Sequence, residues 1–474
     1  MDKKDIINKV LKPISKAGFK VFLVGGCVRD EILGKNPHDF DVVTSAMPSD
    51  LHKIFNRFSD VQSERFGITI VIIDGENVEI ATLRKDCASI DSRHPEKVEF
   101  VSDIDADAAR RDFTMNALFE DIDGTIHDPT GRGINDINGG RIKFVGSARN
   151  RINEDHLRVL RMFRFFATKS VKGHRFEIDA QDIGEIRDMI DSGELNMSGV
   201  SAERIGQEMR KLLGGIFAAD AISLMAEWDF IRQIFPEWTD MQMTTQNPKW
   251  HKEGVVSNHT LLVCREMQKC KDHDWIDMAA ALFHDVGKPA AAKIHGKKNP
   301  TDTWCRQFDH DIIGARMFPM IAKRWALTNA ETELIANLIA DHMKLHNVMV
   351  ITHDSKRWIF LQKPHMGRLL KLCRADGDGC VTDAVEEFTL DKALADSRVQ
   401  MFLNTPLPKR EVTGATLIAA GMKPCEGFKK ALDVAFNQQL TWVIANKGKV
   451  ADSKDVERWT SAAIATLNSI SKDC

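Results

Sequence analysis

Leu23-Val24-Gly25-Gly26-Cys27-Val28-Arg29-Asp30, followed by Leu33-Gly34 and then by Asp39-Phe40-Asp41, is the stretch that decides how this chain reads. Phe19 to Val24 has the apolar run of a strand and enters two adjacent glycines. Glycine has no Cβ, so backbone N–H groups there can approach a phosphate closely. The helix predicted after them adds its N-terminal dipole, and Arg29 can clamp phosphate oxygens. Asp39 to Val43 reads as the next strand, which places Asp39 and Asp41, at i and i+2, on one face. Two carboxylates so placed can hold Mg²⁺ ions between a triphosphate and an attacking hydroxyl. Singly, Gly-Gly is usually a turn and Asp-x-Asp a solvated strand end. Strand, Gly-Gly, Arg, helix and Asp-x-Asp in succession are harder to dismiss.

Around this stretch the pattern is α/β. Ile68 to Ile73 and Val78 to Thr82 flank Asp74-Gly75-Glu76-Asn77, a hairpin signal. Pro48 to Phe58 reads as a helix with Ser49 as its N-cap. From about Asn150 the periodicity is helical. Arg141 to Lys172 carries nine Lys/Arg and two acids, a candidate phosphate-facing stripe rather than a solvated face. The polar stretch Pro236 to Lys249 reads as a boundary, after which His becomes frequent and the helical pattern runs to about Leu390. Leu407 to Cys474 is helical with Gly and Pro punctuation.

Composition excludes several classes. Among 474 residues, 65 Lys+Arg against 68 Asp+Glu give a net charge of -3, so only local clustering can argue for a nucleic-acid partner. No apolar run approaches the ~18 residues of a membrane span. Nine cysteines, an odd number with no C-x-x-C pair, read as reduced cytosolic thiols, not as a disulfide framework or zinc ribbon. A cytoplasmic location is expected.

Three further stretches carry a resemblance. Val78-Glu79-Ile80-Ala81-Thr82-Leu83-Arg84, Arg110-Arg111-Asp112-Phe113-Thr114-Met115-Asn116-Ala117 and Glu154-Asp155-His156-Leu157-Arg158-Val159-Leu160-Arg161 follow the Gly-Gly and Asp-x-Asp motifs in order. With them, roughly the first 215 residues resemble the bacterial-type (class II) CCA-adding tRNA nucleotidyltransferase and poly(A) polymerase family. The resemblance implies Asp39 and Asp41 as Mg²⁺ ligands and Glu79 as a third catalytic carboxylate. It implies Gly25, Gly26 and Arg29 on the triphosphate, Arg111, Asp112 and Asn116 at the ribose, and Asp155, Arg158 and Arg161 in base selection. Capping of the run from Phe113 by Asp112 is the plain structural alternative. The loop Asp121 to Gly140 resembles the family's flexible element between domains. Arg84 to Pro95 resembles a family loop, with Ser89 where an aromatic is expected.

Base selection has a physical basis. Asp155 and Arg158, at i and i+3, are expected as neighbours on one helix face. An ionised Asp only accepts hydrogen bonds and an Arg only donates them. Cytosine and adenine each offer an amino donor beside a ring-nitrogen acceptor, which fits the pair. Uracil and guanine place a carbonyl opposite Asp and an N–H opposite Arg, so both contacts become repulsive.

The second constellation is His259, then Phe283-His284-Asp285-Val286-Gly287-Lys288-Pro289, then His310-Asp311, His342, His346 and Asp376. Imidazole and carboxylate suit Mg²⁺, Mn²⁺, Ni²⁺ or Zn²⁺ and can activate water for phosphoester hydrolysis. Residues 250 to 390 resemble the HD phosphohydrolase domain carried by some bacterial CCA-adding enzymes. The resemblance implies His259, His284, Asp285 and Asp376 as ligands, with His310 and His342 at extra positions; His346 reads as structural. It suggests 2′,3′-cyclic phosphodiesterase, 2′-nucleotidase or phosphatase action. Pro406-Leu407-Pro408-Lys409-Arg410, Thr413-Gly414 and Gly421 to Pro424 resemble the region after the HD domain, and Cys425-Glu426 departs from the usual Gly-Pro there.

The expected fold class is α+β, with a nucleotidyltransferase α/β head over residues 1–145. An all-α neck (146–240), an HD domain (250–392) and a helical tail (393–474) follow. The expected function is addition of C, C and A to a tRNA 3′ end from CTP and ATP. The partners are the tRNA acceptor arm and the two nucleotides, with no membrane, in a monomer or homodimer. The alternatives are a poly(A) polymerase, or an RNA-binding HD phosphohydrolase with an inactive head.

Overall fold

The computed structural model describes residues 1–37, 39–60, 67–86, 98–382, 390–446 and 449–470. Ser89, with most of its loop, and Cys87 and Cys474 lie outside the described residues.

The head is one seven-stranded sheet with strand order β3-β4-β5-β2-β1-β8-β9. Its strands are β1 (Val21–Val24), β2 (Asp41–Thr44), β3 (Phe58–Asp60), β4 (Ile68–Ile73), β5 (Glu76–Thr82), β8 (Phe119–Glu120) and β9 (Ile126–His127). Between them in the chain, β6 (Arg84–Asp86) and β7 (Val98–Phe100) form a separate pair. The main sheet is mixed: β2 and β5 are parallel, and the other neighbours antiparallel.

The β4–β5 hairpin is tighter than expected. Glu76 and Asn77 already pair in β5, leaving Asp74-Gly75 as a two-residue turn with φ of 52° and 86°. Positive φ at both central positions matches the right-handed twist of the flanking strands. Helix α1 (Gly26–Ile32) follows β1. Helix α2 (Pro48–Ile54) is N-capped by Met47, with Pro48 in the first turn. Ser49 is therefore inside the helix and not its cap: proline's fixed φ, without an N–H to lose, sets the start one residue earlier. The helix also ends sooner than expected, because Phe58 belongs to β3.

The neck contains helices α3 (Ala148–Glu154), α4 (Leu157–Thr168) and α5 (Ala202–Leu213). It is not wholly helical: Ser170–Val171 and His174–Arg175 form a small hairpin, turned at Lys172-Gly173 with φ of 49° and 81°. Glu177–Ile178 pairs in parallel with Arg141–Ile142. The stretch Pro236 to Lys249, read as a boundary, is not without structure. It contains helix Trp238–Met243, and Trp238 and Met241 are fully buried.

The HD region is helical: α6 (Val256–Lys269), α7 (Trp275–Phe283), α8 (Lys288–His295), α9 (His310–Arg324), α10 (Asn329–His346) and α11 (Met366–Gly379). One apolar core runs from Ile6 through the neck to Leu440. The tail helices α12 (Phe428–Ala445) and α13 (Ser453–Ile470) enclose a separate small core around Trp459. No described helix is long and apolar enough to cross a membrane.

Candidate active sites in the head and in the HD region

The head site forms at the carboxyl end of β1. Gly25, at φ 76°, N-caps α1, and its N–H donates to Leu118 O at 3.2 Å. A Cβ there would meet Arg111 Nη1 at 3.6 Å, Asn116 O at 3.7 Å and Asp41 Oδ2 at 3.9 Å. Gly25, Asp41, Arg111 and Asn116 therefore converge on one point. Arg29 donates through Nη1 to Asn116 Oδ1 and through Nε to Asp30 Oδ1. Arg111 is held from behind by the buried Asp107, at 2.8 and 3.0 Å.

Parallel pairing of Val42 with Ile80 places Asp41 beside Glu79, both opposite in facing to the buried Val42 and Ile80. Burial, then the charges of Asp41 and Asp39, raise the Glu79 pKa. Burial and the Asp39 charge likewise raise Asp41, against the pull of Arg111, Arg161 and Arg29. Asp39 stands just before β2, not within it. It still acts on Asp41 and Glu79, so the expected group of three carboxylates is gathered.

Asp112 ties head to neck. Its Oδ1 accepts from Phe113 N at 2.8 Å and Asn116 Nδ2 at 3.0 Å, while Oδ2 accepts from Arg161 Nε and Nη2 at 2.9 and 2.6 Å. Burial opposes ionisation here, but Arg161 and the Asn116 hydrogen bond prevail and hold the carboxyl at about 2. It does not cap a helix: Phe113 precedes a short 3-10 turn, Thr114–Asn116, with no side-chain cap.

Asp155 and Arg158 are not neighbours on one helix face. Asp155 is the C-cap of α3, and α4 begins at Leu157. The chain breaks its helix there because Asp155 turns to accept from Leu157 N at 3.2 Å, the usual helix-start role of Asp. Its carboxylate is gripped by Arg204 of α5, at 2.6 and 3.2 Å. Arg158 is fixed separately by Glu154 Oε2 at 2.6 Å, Arg151 O at 2.8 Å and Arg110 O at 3.0 Å. Arg204 and Glu208, one turn apart on α5, brace the α4 region: Glu208 faces Arg161 and Arg164. Sequence reading missed both, because nothing local marks them.

The basic run is not a bare phosphate-facing stripe. Eight of its nine cations pair with acids: Arg141 with Asp136, Lys143 with Asp179, Arg149 with Glu194, Arg151 and Arg158 with Glu154, Arg161 with Asp112, Arg164 with Glu208, and Lys169 with Asp30. The acids come mostly from outside the run, which is why its own composition concealed them.

In the HD region the predicted ligands gather in two groups. His259, His284 and Asp376 form one compact donor set, and Asp285, His310 and His342 the other. Asp285 joins them: Oδ2 lies 3.2 Å from His284 Nε2 and 3.7 Å from His259 Nε2, and Oδ1 lies 3.2 Å from His310 Nε2. His284, His310 and His342 each place Nδ1 on the carbonyl three residues earlier, at 2.9, 2.8 and 2.7 Å. A carbonyl only accepts, so Nδ1 carries the proton and Nε2 presents a lone pair to the centre. His284 Nε2 is buried without a hydrogen-bond partner. His310 and His342 face each other Nε2 to Nε2 at 3.3 Å. Two such lone pairs repel unless a cation lies nearby, so the donors fit divalent metal.

The electrostatics agree. Burial, then the charges of His310 and His342's other neighbour His284, depress His342 to about 3, keeping it neutral. Burial works against charge on Asp285 and Asp376, yet the surrounding imidazoles, with Lys288 on Asp285, hold both well below the usual carboxylate range. Lys288 reaches Asp285 Oδ2 at 2.6 Å and Gln246 at 2.7 Å. His346, read as structural, places its Nε2 2.9 Å from Asp376 Oδ2 and so braces that carboxylate from outside the donor groups. Glu253, 2.9 Å from His259 Nδ1, was also missed.

Family models match three separate stretches of the chain. Residues 21–143 match the poly A polymerase head domain, 175–242 match the probable RNA and SrmB-binding site of polymerase A, and 256–384 match the HD domain. The CCA-adding enzyme of Geobacillus thermodenitrificans is 39% identical over 218 residues, covering 46% of this chain and 51% of that protein. The mitochondrial CCA tRNA nucleotidyltransferase 1 of Danio rerio is 37% identical over 216 residues, 45% of this chain and 48% of that one. The matched part thus spans about half the length of these curated relatives. The fold extends further. The Bacillus stearothermophilus CCA-adding enzyme in complex with CTP aligns over 100% of both chains with a TM-score of 0.58 at 23% identity. The Thermotoga maritima CCA-adding enzyme complexed with tRNA aligns over 98% of this chain and 96% of that one, with a TM-score of 0.59 at 17% identity.

The matched stretches put a polymerase-type head before an HD-type region in the chain. Over about half of its length the chain is similar to CCA-adding enzymes, and separate stretches match the polymerase-head, RNA-binding and HD models.

Proposed function

We propose that the chain adds C, C and A to the tRNA 3′ end from CTP and ATP. The convergence of Asp41, Arg111 and Asn116 on Gly25, with Glu79 beside Asp41, carries this reading. Mg²⁺ held by Asp39 and Asp41 would neutralise the triphosphate and acidify the tRNA 3′-hydroxyl. Gly25 and Gly26 let the backbone approach the phosphates, and Arg29 and Arg111 supply positive charge beside them. Asp112 and Asn116, already bonded to one another, offer the ribose fixed polar groups. Asp155 accepts from the base amino group and Arg158 donates to the ring nitrogen, which admits C and A and repels U and G. The division into head, neck, HD domain and tail is part of the same reading.

In the HD region we propose a phosphohydrolase acting on a phosphomonoester or a 2′,3′-cyclic phosphate. His259, His284, Asp285 and Asp376, with His310 and His342, would hold divalent metal, Asp285 standing between the two donor groups. The metal would supply an acidified water for attack on phosphorus. A donor set this rich in imidazole favours Mn²⁺, Ni²⁺ or Zn²⁺ over Mg²⁺.

The deciding experiment supplies Mg²⁺ and each nucleotide, singly and mixed, to tRNAs ending before CCA, after the first C and after CC. Extension that stops at three nucleotides from CTP plus ATP is expected. A long ladder from ATP alone would make the chain a poly(A) polymerase, and no extension would leave the HD region as its activity.

A further inference from the structure

The first HD histidine has a second side. His259 is fully buried, and its Nε2 faces Asp376 and the HD donors described above. Its Nδ1 points the other way, toward a group that the HD reading does not use. There His251 Nδ1 lies 2.8 Å from Glu253 Oε1, His259 Nδ1 lies 2.9 Å from the same oxygen, and Cys380 Sγ lies 3.9 Å from His251 Nδ1. These four ligand atoms all lie within 4.8 Å of one another. Four donors around one tetrahedral zinc, at about 2.0 to 2.3 Å from it, stand roughly 3 to 4 Å apart.

Three observations separate this from chance packing. His259 Nδ1 is fully buried and shares a single oxygen, Glu253 Oε1, with His251 Nδ1, at 2.9 and 2.8 Å, without the geometry of a full hydrogen bond of its own. The donors come from two segments that are already clamped: Lys252 N donates to Val381 O at 2.8 Å, Val381 N to Glu253 Oε2 at 3.1 Å, and Thr382 Oγ1 to Lys249 O at 2.9 Å. The donor set also contains a thiol, whereas the HD centre holds only imidazole and carboxylate. That difference selects a softer ion than Mg²⁺ or Mn²⁺.

We infer that His251, Glu253, His259 Nδ1 and Cys380 form a distinct zinc-type site that fastens the segment before α6 to the end of α11. Coordination releases the Cys380 thiol proton to solvent and leaves sulfur as the thiolate ligand. His259 would then serve both centres through opposite ring nitrogens, and with both occupied it would also release its one remaining N–H proton to solvent, leaving a bridging imidazolate. The inference does not depend on the HD region being catalytic.

Cobalt(II) loaded into the intact chain tests it, because a thiolate ligand gives a sulfur-to-cobalt charge-transfer band that imidazole and carboxylate do not. The band is expected in the parent chain and in Asp285→Asn, and is expected to vanish in Cys380→Ser. Tightly bound zinc per chain, measured by mass spectrometry, is expected to fall by one in Cys380→Ser and in His251→Ala. A band absent from the parent chain, or unchanged in Cys380→Ser, overturns the site. Loss of the band in Asp285→Asn would merge it with the HD centre and overturn its distinctness. The phosphohydrolase reading fails separately, by loss of no hydrolysis in Asp285→Asn.

Discussion

Asp155 owes its position to a residue 49 places away. Arg204 holds both its oxygens and so fixes the orientation of the carboxylate. Removing that grip leaves the head carboxylates Asp39, Asp41 and Glu79 untouched. Arg204→Ala is therefore expected to preserve CTP incorporation while relaxing base choice. About 1.4 kcal/mol of lost discrimination corresponds to roughly a 10-fold fall in the kcat/KM ratio of CTP over UTP. An unchanged ratio would mean that Arg204 does not position Asp155 for selection. The Glu154 to Arg161 motif announced Asp155 and Arg158, but not their partners. Helical spacing predicted one face, and the break at Leu157 divided it. Asp112 supplies a pH test at the same scale. Its pKa of about 2, against an ordinary 3.8, stabilises the fold fully above about pH 4. That stability, on the order of 2 kcal/mol, is lost as pH falls from about 4 toward 2. In urea titrations across this range, Asp112→Asn is expected to flatten the acid-side decline.

Elements meet most closely where the neck helix α5 crosses the end of α9. A Cβ on Gly206 would lie 1.8 Å from Trp325 O and 2.8 Å from Trp325 C, both backbone atoms that cannot rotate away. Beside this contact Arg210 donates to Ala326 O at 3.2 Å and to Glu331 Oε2 at 2.6 Å. Gly206→Ala must push the two helices apart and is expected to cost at least about 1–3 kcal/mol, read as a lower urea midpoint. Gly184→Ala is the control: it sits in helix Ala180–Asp191 with nothing within 4 Å, so helix propensity alone should raise stability by up to about 1 kcal/mol. Equal effects at both positions would refute the crossing as the cause. The element scale also shows what sequence can carry. The Asp74-Gly75 hairpin was legible because turn chemistry is local. Helix α2 was legible, but its cap was displaced by Pro48. The helix through Trp238 was hidden because its flanking residues are polar while two of its side chains reach the core. The pairing of the basic run was hidden for a related reason: its counter-charges lie in other elements.

At the scale of the molecule, head and HD centres are joined by one apolar core yet share no side chain. Both residue sets were legible because the carboxylates and histidines fall in ordered motifs. Their mutual placement was not, since it depends on contacts such as Gly206 with Trp325 and Arg324 with Glu237. Absence of shared groups makes the two proposed activities separable. Asp41→Ala removes a head carboxylate that Asp39 and Glu79 cannot replace, so nucleotide addition should fall at least about 100-fold. Hydrolysis of a 2′,3′-cyclic nucleotide by the same variant should be unchanged. Asp285→Asn should do the reverse, because the neutral amide no longer offsets metal charge between the two donor groups. The parent chain stripped with chelator and refilled with Mn²⁺ should regain hydrolysis, and Asp285→Asn should not. Addition of Mg²⁺ alone should restore nucleotide transfer to both. If Asp285→Asn lost nucleotide transfer at full Mg²⁺ while keeping the parent's unfolding midpoint, the two centres would be coupled through the core, and independence would be wrong.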